Sequence, residues 1–165
     1  MLRLTVVAVG KIRGTPYEAL LQDYLRRFTS PIAVTEVDER KTLSPIQLRQ
    51  REGEMLAEKI PPASFVVALD PRGKIFSSEN LATFVQQRQD DGTRDMAFII
   101  GGADGLSDDI LARTQLRLSL GAMIWPHLLA RVMLVEGGPL LPMLHAWRQQ
   151  RPQDRHDLAA AGVAR

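Results

Sequence analysis

Residues 96–107 read MAFIIGGADGLS, an apolar run of strand length that passes into two glycines, an Asp-Gly turn and a serine. A second run of this kind, FVVALD, occupies residues 65–70. Neither run alternates apolar with polar residues, and continuous apolar strands are typical of parallel sheets that are covered on both faces. These two stretches therefore predict an α/β fold with a mostly parallel sheet and helices on both faces.

Weaker patterns on either side predict the other elements of the domain. Further strands are expected at residues 2–9, 32–37 and 116–121. Helices are expected to begin after Thr15, Ser44, Ser77 and Ser107, which are residues that cap helix N-termini well, and a last helix enters at Pro126-His127. Strands and helices thus alternate at βαβ spacing, which favours one parallel sheet.

Composition limits the class of protein. A chain of 165 residues with 45% hydrophobic residues fits one domain with a sizeable core. There is no cysteine, and the three histidines share no metal-ligand spacing, so we expect no metal. No run approaches the roughly 20 apolar residues of a membrane span, and the N-terminus lacks the features of a signal peptide. We therefore expect a cytoplasmic protein that binds no membrane.

The loops that follow the predicted strands are the candidate ligand sites, because ligands of open parallel sheets bind at the carboxyl ends of strands. Gly101 and Gly102 allow a ligand to approach the backbone, although their spacing is not that of a dinucleotide fingerprint or a P-loop. A tight structural turn and a ligand loop both fit this stretch. For residues 70–73, a plain turn and a second pocket wall are likewise both open.

Residues 119–136, SLGAMIWPHLLARVMLVE, combine a glycine and several apolar residues with a Pro-His helix entrance. Apolar side chains and backbone groups of this kind can hold an adenine ring. His127 fits a packed residue as well as a functional one. Arg131, one helical turn later, fits either an ion pair with Glu136 or a phosphate contact. Nothing in the chain resembles a Ser-His-Asp arrangement, so no catalytic residue is assigned.

Five segments, in their order along the chain, resemble one known family: VVAVGKIR, YLRRF, LDPRGK, FIIGGADGLS and LSLGAMIWPHLLARVML. The chain resembles the SPOUT methyltransferases of the ribosomal RNA large subunit methyltransferase H type over residues 2–136. The resemblance implies a SPOUT-type trefoil knot in the C-terminal part of the fold, a homodimer, and S-adenosylmethionine held in the knot. The implied activity is methylation of N3 of a pseudouridine in helix 69 of 23S rRNA on assembled ribosomes.

The resemblance also implies site residues. Carried over by motif, the cofactor-binding residues are Leu69, Gly101, Gly102, Leu120, Gly121, Ala122, Met123, Ile124 and Trp125. His127 and Arg131, on the helix behind this loop, are the expected RNA contacts. For the proton that leaves N3, water, a phosphate and a backbone carbonyl are all open as acceptors.

The resemblance defines a domain at residues 1–136 and a divergent segment at residues 137–165. Where the family continues with Gln-Leu-Tyr-Arg-Ala and ends in Pro-Tyr-His-Arg, this chain reads GGPLLPMLHAWRQQRPQDRHDLAAAGVAR. A frameshifted or recombined gene end, a lineage-specific end with a restarted helix, and loss of catalysis with retained binding each explain the difference. The alternative expectation is therefore a catalytically impaired RNA-binding protein of the same fold.

Overall fold

A computed structural model describes residues 2–28 and 32–137. The strands within these residues are β1 Arg3–Val9, β2 Ile32–Val37, β3 Phe65–Ile75, β4 Asp95–Ile100 and β5 Leu116–Ser119. The helices are α1 Pro16–Leu25, α2 Pro45–Lys59, α3 Ser78–Asp90, α4 Asp108–Ala112 and α5 His127–Gly137. The predicted alternation of strands and helices is confirmed.

The strands form one sheet in the order β2-β1-β4-β3-β5, and every neighbouring pair is parallel. Phe98 of β4 lies at its centre, opposite Val6 of β1 and Val67 of β3. Because all strands run in one direction, their carboxyl ends meet at one edge. The α/β prediction is confirmed, and the trefoil knot stays a prediction. Beyond Gly137, the predicted segment 137–165 lies outside the described residues.

Helices cover both faces of the sheet. On one face, the core side chains of the strands pack with Leu81 and Val85 of α3 and Leu134 of α5. On the other face, they pack with Leu56 of α2 and Ile110 of α4. Burial on both sides explains why the central strands carry no polar alternation. Within the described residues, no helix is both long enough and apolar enough to cross a membrane.

A third apolar cluster joins α1 to α5. Leu21 of α1 packs with Ile12 and with Val132 and Val135 of α5, and all four side chains are buried. Because α5 also contributes to the core on the sheet, this contact fixes its position relative to the strand ends. The start of α5, at His127, is thereby held at the carboxyl edge of the sheet.

All four predicted N-cap residues occupy N-cap positions, and two of them also cap the helix through their side chains. Ser44 forms a capping box with Gln47, and the Ser77 hydroxyl accepts a hydrogen bond from the Asn80 amide. Thr15 and Ser107 occupy N-cap positions but make no side-chain cap bond. The Thr15 hydroxyl donates instead to the Ile12 carbonyl at 2.6 Å, because that acceptor lies within its reach.

Strand β3 continues past the turn that residues 70–73 predict. Leu69 and Lys74 both lie opposite Leu118 of β5, so the residues between them bulge out of the ladder. A Cβ atom on Gly73 would lie 2.5 Å from the carbonyl carbon of Arg117, so only glycine allows this approach. The plain turn is therefore wrong, and an irregular strand takes its place.

Candidate methyl-donor pocket

A pocket of about 180 Å³ opens at the bulge of β3 and at the carboxyl ends of β4 and β5. Its wall consists of residues 69–71 of the β3 bulge, the last residues of β4 and β5 with the loops that follow them, and the start of α5. This is the edge at which parallel sheets place their ligands. The sheet topology therefore brings together segments that are far apart in the sequence.

The structure brings most of the predicted cofactor residues into this wall. Those that line the pocket are Leu69, Gly101, Gly102, Leu120, Gly121, Met123, Ile124 and Trp125. Ala122 is the exception, because it is exposed and does not line the pocket. We therefore leave Ala122 out of the proposed wall, and cofactor binding by the other residues stays a prediction.

The glycine loop after β4 is a tight turn that also forms part of the pocket wall. The Gly105 amide donates to the Gly102 carbonyl at 3.1 Å, which closes a tight turn. A Cβ atom on Gly101 would lie 2.8 Å from the backbone of Gly105, so a larger residue does not fit. The same turn lines the pocket, and its backbone is therefore available to a ligand.

Local hydrogen bonds shape the loop after β5. The Ser119 hydroxyl accepts from the Gly121 amide at 3.2 Å and donates to the Gly121 carbonyl at 3.1 Å. The Trp125 indole donates to the Leu120 carbonyl at 3.3 Å. Met123 and Ile124, between these bonds, are 68% and 92% exposed. Hydrogen bonds thus hold both ends of the loop, and the two apolar side chains between them lie at the mouth of the pocket.

Asp70 lines the pocket, as the interpretation of residues 70–73 as a second pocket wall allows, although the resemblance implied no role for it. Its carboxylate is buried and accepts from Arg72 through the backbone amide at 2.8 Å, Nε at 3.0 Å and Nη2 at 2.8 Å. These bonds hold the pKa of Asp70 below its usual range, so the carboxylate is ionised at neutral pH. The available signal was an acidic residue directly after a buried strand.

His127 lines the same pocket from the start of α5 and is half-buried. A Cβ atom on Gly10 would lie 2.8 Å from its Nε2, so the imidazole packs directly on the turn after β1. Burial first, and then the charge of Arg131, lower the pKa of His127. The imidazole is therefore neutral at pH 7. Its predicted contact with RNA stays a prediction.

Arg131 does not occupy either of its predicted environments. It is fully buried, its Nη1 pairs with Glu36, and its Nη2 donates to the carbonyls of Val9 at 3.0 Å and Gly10 at 2.9 Å. Glu136 is five residues further along α5, and residues at this spacing do not face each other on a helix. The ion pair with Glu136 is therefore wrong, and the engaged guanidinium offers no surface to an RNA phosphate.

The described part of the chain contains no group of three or more His, Asp or Glu side chains that could hold a metal ion. The pocket wall is built from apolar side chains, backbone groups, the Asp70 carboxylate, the His127 imidazole, and the Ser119 hydroxyl and Trp125 indole, which are bonded within their loop.

A parallel sheet with this strand-end pocket fits an α/β nucleotide- or cofactor-binding enzyme, and comparison with known proteins defines the class. The profile of a family described as "Predicted SPOUT methyltransferase" matches residues 2–137. This match includes the whole described pocket. The chain belongs to the SPOUT methyltransferase family and is a methyltransferase.

Similar curated proteins carry one particular name, "Ribosomal RNA large subunit methyltransferase H". The protein of that name from Rhodospirillum rubrum is 43% identical over 135 residues, which are 82% of this chain and 89% of the relative. The protein from Paramagnetospirillum magneticum is 42% identical over the same shares. The one from Carboxydothermus hydrogenoformans is 41% identical over 143 residues, 82% of this chain and 90% of the relative.

Proposed function

We propose that this methyltransferase transfers a methyl group from S-adenosylmethionine to N3 of a pseudouridine in helix 69 of 23S rRNA. It acts in the cytoplasm, on assembled ribosomes. The observation that carries the proposal is the similarity to relatives named for large-subunit rRNA methylation, at 41–43% identity over 82% of the chain. The matched residues include those that line the strand-end pocket.

The chemistry of the pocket wall supports S-adenosylmethionine as the methyl donor. Leu69, Leu120 and Trp125 supply apolar walls for an adenine ring, and the glycine loop after β4 supplies backbone groups at close range. Asp70 supplies a negative charge, which suits a cationic ligand. When bound, the cofactor provides an activated methyl group, so the residues of the chain need mainly to orient the two reactants.

Methyl transfer to N3 also releases the N3 proton. His127 adds a fourth candidate acceptor to water, phosphate and a backbone carbonyl, because it lines the pocket and is held neutral. A positioned general base contributes roughly 10²–10⁴-fold to a rate. We therefore propose His127 as the proton acceptor, in addition to its predicted place at the RNA.

We also propose that the protein is a homodimer. Met123 and Ile124 expose apolar side chains beside the pocket mouth, where they would be covered by a second subunit. Light scattering should give a mass close to twice 18.4 kDa. A monomeric mass at micromolar concentration would contradict the homodimer without affecting the assignment of the pocket.

The activity is tested with labelled S-adenosylmethionine and ribosomes from a strain that lacks the modification. Label is expected at one pseudouridine of helix 69, and ribosomes that already carry the methyl group should accept none. Free 23S rRNA serves as the substrate control for the requirement for assembled ribosomes. Absence of label from helix 69 would overturn the proposed activity.

A catalytically impaired RNA-binding protein of the same fold is the second candidate. The observation that favours it is the end of the family match at residue 137, so that residues 138–165 lie outside the match. This candidate predicts that the protein sediments with ribosomes and binds the cofactor without turnover. Turnover in the labelling experiment would exclude it.

A further inference from the structure

The described pocket wall contains a single acidic side chain, that of Asp70, and no lysine or arginine. Only 5% of the Asp70 side chain is exposed, whereas 70% of the Arg72 side chain is exposed. Asp70 lines the pocket as a buried residue, whereas Arg72 does not line it and lies towards solvent. A buried charge acts through a lower effective dielectric than an exposed one, so solvent screens Arg72 more than Asp70.

The other polar groups of the wall do not offset this negative charge. His127 is held neutral by burial and by Arg131. The Ser119 hydroxyl and the Trp125 indole are both bonded within the loop after β5. A ligand in the pocket thus meets apolar surface, backbone groups and one ionised carboxylate.

We propose that Asp70 sets the preference of the pocket for the positively charged methyl donor over its neutral product. This inference rests on the proposed use of S-adenosylmethionine. Methyl transfer converts the sulfonium of the donor into the thioether of S-adenosylhomocysteine, so the reaction removes one positive charge from the ligand. A fixed carboxylate in the wall stabilises the donor and not the product, which favours release of the product after each turnover.

The test compares the dissociation constants of the two ligands, measured by calorimetry, in the unaltered protein and in Asp70→Asn. Asparagine keeps the shape of the side chain and removes its charge. We expect affinity for S-adenosylmethionine to fall roughly tenfold, as for the loss of a partly screened charge interaction, and affinity for S-adenosylhomocysteine to fall by less than about threefold. A sulfur-free analogue with an ammonium group should follow the sulfonium ligand.

Asp104→Asn is the matched control, because Asp104 is an exposed acid of the glycine loop that does not line the pocket. It should leave the ratio of the two constants unchanged. Arg72→Gln removes the counter-charge and keeps the backbone hydrogen bond to Asp70. The affinity for S-adenosylmethionine relative to S-adenosylhomocysteine should therefore increase. If Asp70→Asn does not fold, Arg72→Gln decides the question.

Equal losses for both ligands in Asp70→Asn would overturn the inference, since they would mean that the carboxylate recognises a part that donor and product share. A lower affinity for S-adenosylmethionine relative to S-adenosylhomocysteine in Arg72→Gln would also overturn it. So would an equal loss of this preference in Asp104→Asn and Asp70→Asn. Binding of S-adenosylmethionine by the unaltered protein keeps the proposed function intact in each of these cases. Failure of the unaltered protein to bind it would overturn both.

Discussion

The two halves of the carboxyl edge of the sheet are built in opposite ways. At β1 and β2, Arg131 fills the space below α5 and bonds to Glu36 and two strand-end carbonyls. At β3, β4 and β5, glycines and apolar residues leave a pocket open, and Arg72, which pairs with Asp70, lies towards solvent. One half is closed by a buried cation, and the other is left free for a ligand.

Helix α5 contacts both halves of this edge. Arg131 anchors α5 to the closed half, and His127, one turn earlier, lines the open half. The position of His127 thus depends on the ion pair between the buried Arg131 and the partly buried Glu36, neither of which lines the pocket. We expect changes in the closed half to affect stability first and changes in the open half to affect binding and rate first.

The largest effect is expected for Arg131→Met. Loss of the guanidinium leaves Glu36 with the Ile12 amide but without its cationic partner, and it removes the donor that bonds to the Val9 and Gly10 carbonyls, which should lower the free energy of unfolding by about 3–5 kcal/mol. Urea titration followed by circular dichroism measures the change. The double variant Arg131→Met/Glu36→Leu should recover part of the loss, and a loss under about 1 kcal/mol in the single variant would contradict the anchoring role.

The second largest effect is expected on the rate of methyl transfer. His127→Gln should lower turnover about 100-fold if the imidazole accepts the N3 proton, while affinity for the cofactor changes much less. Because burial and Arg131 lower the pKa of His127, activity should persist on the acid side below the usual range of a histidine. His127→Gln should lack this acidic limb. An unchanged rate, or an unchanged acidic limb, would exclude His127 as the acceptor.

Gly101→Ala should destabilise the protein by about 1–3 kcal/mol, because its Cβ would meet the backbone of Gly105. The matched variant is Gly102→Ala, whose Cβ would instead meet the carboxylate of Glu52 at 2.9 Å. A side-chain end moves more easily than backbone, so Gly102→Ala should cost less. Thermal unfolding and cofactor titration of the pair measure the difference, and the reverse order would contradict the described packing.

The smallest effect concerns Glu52, which is buried behind the glycine loop with its Oε2 unpartnered among the described residues. Burial first, and then Asp104 and Asp38, raise the pKa of Glu52. The folded state therefore binds a proton more tightly than the unfolded state. The stability that this proton provides is complete below the ordinary glutamate pKa and is lost as the pH rises through the raised value.

Glu52→Gln removes the pH dependence of stability that comes from Glu52. At pH 7 it should be more stable than the unaltered protein by about 1 kcal/mol, because a buried unpaired charge is replaced by a neutral amide. The advantage should shrink towards pH 4, and urea midpoints at several pH values would show it. Glu54→Gln, on the same helix with an exposed side chain, is the control. A constant difference across this range would show that Glu52 does not titrate as described.

The sequence predicted the parts of the fold that local patterns determine. The buried runs at 65–70 and 96–100 became adjacent parallel strands because their apolar character requires burial on both faces. The loops of the pocket could also be predicted, since strand polarity alone places them at one edge. Eight of the nine cofactor residues that the resemblance implies line this pocket.

Long-range pairing could not be predicted in the same way. Arg131 meets Glu36 across 95 residues of sequence, and only the assembled sheet brings the two together. The bulge of β3 depends on close contact between Gly73 and the backbone of β5, which no local pattern reveals. Asp70 was visible as an acid after a strand, but its place in the wall follows from that same bulge.

The most direct test of the central assignment is calorimetric titration of the purified protein with S-adenosylmethionine, ATP and NAD. A methyl-donor pocket at the β3 bulge and the β4 and β5 ends predicts saturable binding of S-adenosylmethionine at one site per chain, weakened in Gly101→Ala, with no measurable binding of ATP or NAD at the same concentrations. Binding of ATP or NAD with equal or greater affinity, or S-adenosylmethionine binding that Gly101→Ala leaves unchanged, would contradict the assignment.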